Sequence, residues 1–305
     1  MLKEIKTLPN NPELVGLAEL FRDIQYSENG QKLNLLVPWS VNQLPDRKQK
    51  HPLIVFVQGS GWTKPNIDYK IPLLSHFAEA GYVVASVSHR NYRDGFQAPA
   101  YLVDVKTAIR FLRANAEKYG IDKDKVMIMG TSSGGNTSLL VGVTADDPQY
   151  KSDEYADESD SVSAVIDIFG PTDLLRRFFN ANNREEAAEV INNLLEADDE
   201  ESKNHVATLE MALGKDHEKW IPLLESLSPS KVANEENSKI PFLLMHGTAD
   251  NVVNVEQLDR MYNSLKAANA DVEAYYIEDG IHGSNFWSPE VRETIRKWVA
   301  EKFPL

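Results

Sequence analysis

Cysteine is absent from the 305-residue chain. That removes disulfides, thiolate zinc sites and a cysteine nucleophile together, and it fits a reducing compartment. No run of about 18 apolar residues occurs, so no membrane-crossing helix is expected. The opening stretch MLKEIKTLPNNPELVG lacks an apolar segment of the length a signal peptide needs. Cations are in deficit: 32 Lys and Arg stand against 46 Asp and Glu, a formal net charge of -14. Nucleic acid and anionic lipid head groups would be repelled, so neither nucleic acid nor membrane is expected as a partner. A soluble, cytoplasmic protein is the expectation.

Hydrophobic residues make up 42% of the chain, enough for a large core. The length suits a single α/β unit over residues 1–305. Strand and helix patterns alternate, which predicts a mostly parallel central sheet with helices on both faces. Phe21–Ser27 and Gln31–Pro38 flank Asn29-Gly30, a hairpin signal, and should pair antiparallel at the sheet edge. Pro52–Val57 is a continuous apolar run, as a strand buried on both faces requires. Tyr82–Val87, Val126–Met129, Val162–Phe169, Ile240–Met245 and Val272–Ile277 repeat that type. Leu102, Val105, Ala108, Ile109 and Leu112 have helical spacing, in a helix expected to end near Gly120. Leu258, Met261, Tyr262 and Leu265 define a second helix, with Asn254 as N-cap and Gln257 completing a capping box. Ser288-Pro289 starts the last helix. Residues 174–234 contain no evident strand and read as a helical cap inserted over the site. The bland alternative is a structural excursion that never meets substrate. Asp146–Asp160 is acidic and expected to be a solvated loop.

Gly130-Thr131-Ser132-Ser133-Gly134 matches G-x-S-x-G, directly after an apolar strand and before a helical stretch. That is the setting of a nucleophile elbow, in which a sharp turn holds the serine above the sheet. Strand and helix approach so closely that only small residues fit two positions either side. The alternative is a glycine-rich phosphate turn, which here lacks the lysine of a P-loop. Ser133 is the rival nucleophile, but position 131, where its frame needs glycine, is threonine. A serine hydroxyl needs a base. In this fold the order is serine, acid, histidine, and His282 is the one histidine after Asp250. Asp250 follows an apolar strand directly and can orient the imidazole; Asp173, after the preceding strand, is its rival. His246 ends a strand and suits a structural hydrogen bond. Gln58-Gly59-Ser60-Gly61-Trp62 follows Pro52–Val57, where this fold supplies backbone N–H groups to an oxyanion hole.

These segments resemble an α/β-hydrolase carboxylesterase, near the hormone-sensitive-lipase-like esterases and the bacterial feruloyl/acetyl-xylan esterase group. The carriers are QGSGW (58–62), GTSSGG (130–135), VIDIFGPTDL (165–174), HGTADNVV (246–253) and DGIHG (279–283). The resemblance implies a triad of Ser132, Asp250 and His282 and oxyanion donors at Ser60, Gly61 and Ser133. It departs at Gln58 and Ser60, where the common loop is HGGGW, and this favours a more polar substrate such as an acylated sugar or a hydroxycinnamate ester. The expectation is a serine carboxylesterase of short-chain acyl or hydroxycinnamoyl esters, a small-molecule substrate, with no metal and no cofactor. Trp62, Phe178, Phe179 and Trp220 are expected to line the substrate pocket. A prolyl-oligopeptidase-type peptidase and a non-catalytic binding protein on the same fold are the alternatives. A homodimer stays open.

Overall fold

The structure is a computed structural model that describes residues 5–9, 17–39 and 50–305; most of the opening stretch read above lies outside them. In chain order the elements are β1 (Leu17–Gln25), β2 (Lys32–Trp39), β3 (His51–Val57), α1 (Ile71–Ala80), β4 (Val83–Val87), α2 (Ala100–Ala114) and α3 (Ala116–Tyr119). Then come β5 (Ile121–Thr131), α4 (Ser133–Val143), β6 (Ala164–Ile168), α5 (Leu174–Phe179), α6 (Arg184–Glu196), α7 (Glu200–Leu213), α8 (Trp220–Ser226) and α9 (Pro229–Val232). β7 (Phe242–Gly247), α10 (Glu256–Ala267), β8 (Val272–Ile277) and α11 (Pro289–Lys302) complete the chain.

The eight strands form one sheet in the order β1-β2-β4-β3-β5-β6-β7-β8. β1 and β2 pair antiparallel, as does β2 with β4, and every pairing from β4 to β8 is parallel. The pattern is that of the α/β-hydrolase fold. Alternation of side chains explains the two cores. Leu53, Val55 and Val57 of β3 pack with Leu102, Val105 and Ile109 of α2 and Leu258 and Met261 of α10. Ile54 and Phe56 point the other way, to Leu74 and Phe77 of α1 and Ile295 and Trp298 of α11. Each such fully buried side chain contributes roughly 1.5–3 kcal/mol. Among the described residues, no helix is long and apolar enough to cross a membrane.

Four local expectations are corrected. The helix expected to run to Gly120 is two helices, because Asn115 ends α2 with its Nδ2 donating to the Phe111 carbonyl at 2.8 Å. Gly120, at φ 66°, ends α3 instead. β5 begins five residues before Val126, at Ile121. The capping box at α10 does not form. Asn254 Oδ1 does accept from Glu256 N–H, but Gln257 turns inward and its Oε1 accepts the N–H groups of Thr172 and Asp173, both at 2.7 Å. The stretch 146–160 is not simply solvated, since Asp160 is fully buried. Its carboxylate pairs with Lys106 Nζ at 2.8 Å and Arg110 Nη1 at 3.0 Å, both also fully buried. Burial pushes the Lys106 ammonium down, and Asp160 opposes that.

Candidate active site

The carboxyl ends of β3, β5, β7 and β8 deliver the site, where ligands of open α/β sheets bind. β5 stops at Thr131 and α4 starts at Ser133, so the chain must reverse within Ser132. That residue sits at φ 53°, ψ -126°, a conformation costly for any residue with a side chain. Its N–H donates to Ile168 O at 2.8 Å, which helps to hold the strain. The flanking glycines are enforced by contact. A methyl group on Gly130 would lie 2.0 Å from Gly134 O, and one on Gly134 would lie 2.1 Å from Val57 O.

Asp250 lies in the turn after β7. Its Oδ1 accepts from the N–H groups of Val252 and Val253 at 2.8 and 2.9 Å, and its Oδ2 faces His282 Nδ1 at 2.6 Å. His246 Nε2 stands 3.3 Å from the same oxygen and 2.9 Å from Val253 O. Burial pushes the Asp250 carboxyl up. Hydrogen bonds from His246, His282 and the Val253 and Val252 N–H groups outweigh that and hold it well below the usual carboxylate range. His282 Nε2 lies 2.9 Å from Ser132 Oγ, and its ring leans on Phe169, with centroids 4.4 Å apart. Side chains 150 residues apart in the chain thus form one hydrogen-bonded row.

The rivals sit elsewhere. Asp173 caps α5 by accepting the Arg176 N–H at 3.2 Å, and it pairs with Arg260 at 3.4 Å and Lys231 at 3.8 Å. Ser133 Oγ accepts the Ser60 N–H at 2.9 Å. That contact bears on the expected oxyanion donors. The Ser60 N–H is already directed at a hydroxyl, whereas the N–H groups of Gly61 and Ser133 have no partner among the described residues. The loop is braced on every side. Gly59 N–H donates to Thr131 Oγ1 at 2.9 Å, Ser60 Oγ to Thr63 O at 2.6 Å, and Asn66 N–H to Gln58 Oε1. Gln58 therefore ties the loop to residue 66 from the position the common motif gives to histidine.

Two cavities meet here. One, of about 360 Å³, contains Ser132 and His282 with Phe169, Trp287, Lys70 and Arg177 on its walls. The other, of about 160 Å³, is apolar and lined by Tyr101, Phe96, Phe178, Leu209 and Leu213 among others. Gly61, Trp62 and Arg177 belong to both. Trp62 packs between Tyr101 and Phe178, with ring centroids 6.0 and 5.8 Å away. Two expected lining residues are corrected. Trp220 is fully buried and donates its Nε1–H to Gly214 O at 2.7 Å, which ties it to the end of α7 rather than presenting it to substrate. Phe179 is buried in the core and lines neither cavity, whereas its neighbour Phe178 does line the apolar one. Lys70, Arg177 and Trp287 also line the catalytic cavity, and the sequence patterns above do not single them out. For Trp287 a signal existed, since it lies five residues beyond His282. Lys70 immediately precedes α1 and Arg177 lies in the last turn of α5, with no motif around either. No group of three or more His, Asp or Glu side chains among the described residues is placed to hold a metal ion.

The BD-FAE family model matches residues 42–265. Esterase LipC of Mycobacterium tuberculosis is 28% identical over 242 residues, covering 79% of this chain and 54% of that protein. The probable carboxylic ester hydrolase LipM of the same organism is 26% identical over 268 residues, 83% of this chain and 53% of that protein. The chain thus spans about half the length of these curated relatives. A solved structure, a truncated form of a carbohydrate esterase from gut microbiota, superposes with a TM-score of 0.74 at 25% identity, covering 96% of this chain and 99% of that one.

Proposed function

The chain belongs to the BD-FAE family, and from that premise we propose that it is a carboxylesterase acting through an acyl-enzyme on Ser132. The observation that carries the reading is the row Ser132 Oγ, His282 Nε2, His282 Nδ1, Asp250 Oδ2, with contacts of 2.9 and 2.6 Å. His282 Nε2 accepts the Ser132 proton as Oγ attacks the ester carbonyl carbon. The carbonyl oxygen becomes an oxyanion and takes hydrogen bonds from the backbone N–H groups of Gly61 and Ser133. Donors placed so are worth on the order of 3 kcal/mol each. As the carbon–oxygen bond to the alcohol breaks, the imidazolium returns its proton to the leaving oxygen. Water then attacks the acyl-enzyme by the same route and frees the acid. Asp250 stays ionised throughout, as its low pKa direction supports, and stabilises the imidazolium.

The acyl group is proposed to enter the apolar cavity past Trp62, with α5, α7 and α8 acting as a cap. Its limited volume and aromatic walls favour a short acyl chain or a single aromatic ring, as in a hydroxycinnamoyl ester, over a long fatty chain. Similarity to an esterase and to a carbohydrate esterase supports the ester and leaves an acylated sugar as a candidate alcohol. Hydrolysis of p-nitrophenyl acetate, butyrate, octanoate and palmitate, with fluorophosphonate labelling alongside, tests both levels. Turnover should peak at acetate or butyrate and fall by about 10⁴-fold or more in Ser132→Ala, with labelling lost. Near-normal turnover in Ser132→Ala refutes the mechanism, and a maximum at octanoate or beyond refutes the short-acyl pocket.

A further inference from the structure

The cavity that holds Ser132 and His282 has no aspartate or glutamate among its described lining residues. That is unexpected in a chain with 46 acidic residues against 32 Lys and Arg. The fixed cations on its walls are Lys70 and Arg177. Neighbouring cations are paired: Arg176 with Glu256, and Lys231 and Arg260 with Asp173. Lys70 and Arg177 have no carboxylate partner among the described residues. Aromatic rings hold them instead. Lys70 Nζ lies 4.7 Å from the Trp287 centroid and 4.8 Å from that of Tyr69, and Arg177 Cζ lies 5.8 Å from that of Phe178. Lys70 is half-buried, and its ammonium is pushed down by burial with no neighbouring carboxylate to oppose it. A positive charge kept partly dry and unpaired is unfavourable unless something anionic arrives.

We propose that the site selects esters carrying a carboxylate, which Lys70 and Arg177 receive while Ser132 attacks the ester bond. This rests on the carboxylesterase reading above and narrows its substrate class. The net charge of -14 repels an anion at long range, and a cleft with low-dielectric walls and two unpaired cations reverses that repulsion locally. Ring-held cations keep their N–H groups free to donate, and hydrogen bonds to an ionised acceptor are the stronger kind. Selection therefore appears as a preference between two esters that differ in charge and little else.

Two matched pairs read it. Para-acetoxybenzoate against para-acetoxybenzamide places the charge on the alcohol side. Monomethyl terephthalate against methyl para-carbamoylbenzoate places it on the acyl side. The charged member of at least one pair should have kcat/KM higher by about tenfold or more, with the difference mainly in KM. Raising the salt concentration should shrink that ratio. In Lys70→Gln/Arg177→Gln, with Tm checked, it should fall toward one. Calorimetry with Ser132→Ala supplies an arm independent of turnover, in which terephthalate should bind more tightly than terephthalamide and lose that advantage in the triple variant. If no ester is hydrolysed, the carboxylesterase reading fails and calorimetry alone decides the charge selection. Ratios at or below one in both pairs, a preference that survives the double substitution, or equal binding of terephthalate and terephthalamide overturns it.

Discussion

Two aspartates follow neighbouring strands, and their surroundings set them apart. Asp250 has four hydrogen-bond donors around a fully buried carboxylate, one of them the imidazole that reaches Ser132. Asp173 is occupied by a helix start and by two cations on other elements. Asp250→Asn should lower kcat by about 10⁴-fold, because an amide in its place favours the wrong imidazole tautomer. Asp173→Asn should act chiefly on stability: its amide oxygen can still cap α5, but the ion pairs to Arg260 and Lys231 are lost, for about 1 kcal/mol, with kcat/KM little changed. Steady-state kinetics with Tm for both variants separates the roles, and a greater kinetic loss at Asp173 with unaltered Tm would reverse them. The same scale shows what sequence leaves readable. Gly130 and Gly134 are glycine because backbone atoms sit where a methyl group would go, so the elbow is written locally. Lys70 comes to the cavity from the residue before α1 and Arg177 from α5, and no local pattern records that convergence.

At the level of elements, strand runs were legible because burial on both faces leaves an uninterrupted apolar stretch, as in β3 and β4. Gln257 and Asp160 are illegible for the opposite reason: each is a polar residue whose partner lies far along the chain. Gln257 stitches α10 to the residues just before α5, across 85 positions. Asp160 stitches the segment after α4 to α2 through Lys106 and Arg110. Removing one member of a buried charge group leaves the others uncompensated, at a cost of about 3–5 kcal/mol. Asp160→Ala should therefore lower unfolding free energy by that amount in urea titrations, while an Asp146→Ala change at the same loop costs less. Equal, small effects would mean that water reaches Lys106 and Arg110 and that the cluster contributes little.

For the whole molecule, one buried acid gives stability a pH dependence. Asp167 of β6 is pushed up to about 7 by burial, against the opposing pull of His246 and the Gly170 N–H. The carboxyl is protonated in the folded chain where the unfolded chain, near its ordinary 3.8, has already ionised. The folded state therefore binds the extra proton. The stability this contributes is complete below that lower value and is lost as pH rises through about 7. The slope approaches about 1.4 kcal/mol per pH unit. Asp167→Asn removes the titration, and its amide oxygen can still accept from Gly170, so stability measured in urea between pH 4 and 8 should decline less steeply than in the native chain. Parallel profiles would show Asp167 ionised in the folded state.

The braces on residues 58–60 bear on the temperature dependence of the proposed reaction. Thr131, Ser133, Thr63 and Asn66 fix that loop before any substrate is present. Little backbone freedom is then left to freeze when negative charge builds on the carbonyl oxygen. The barrier should accordingly be enthalpic in character, with a small entropy of activation. Loosening a brace would move the barrier toward entropy and make catalysis less responsive to warming, even where the three reacting side chains remain where they are.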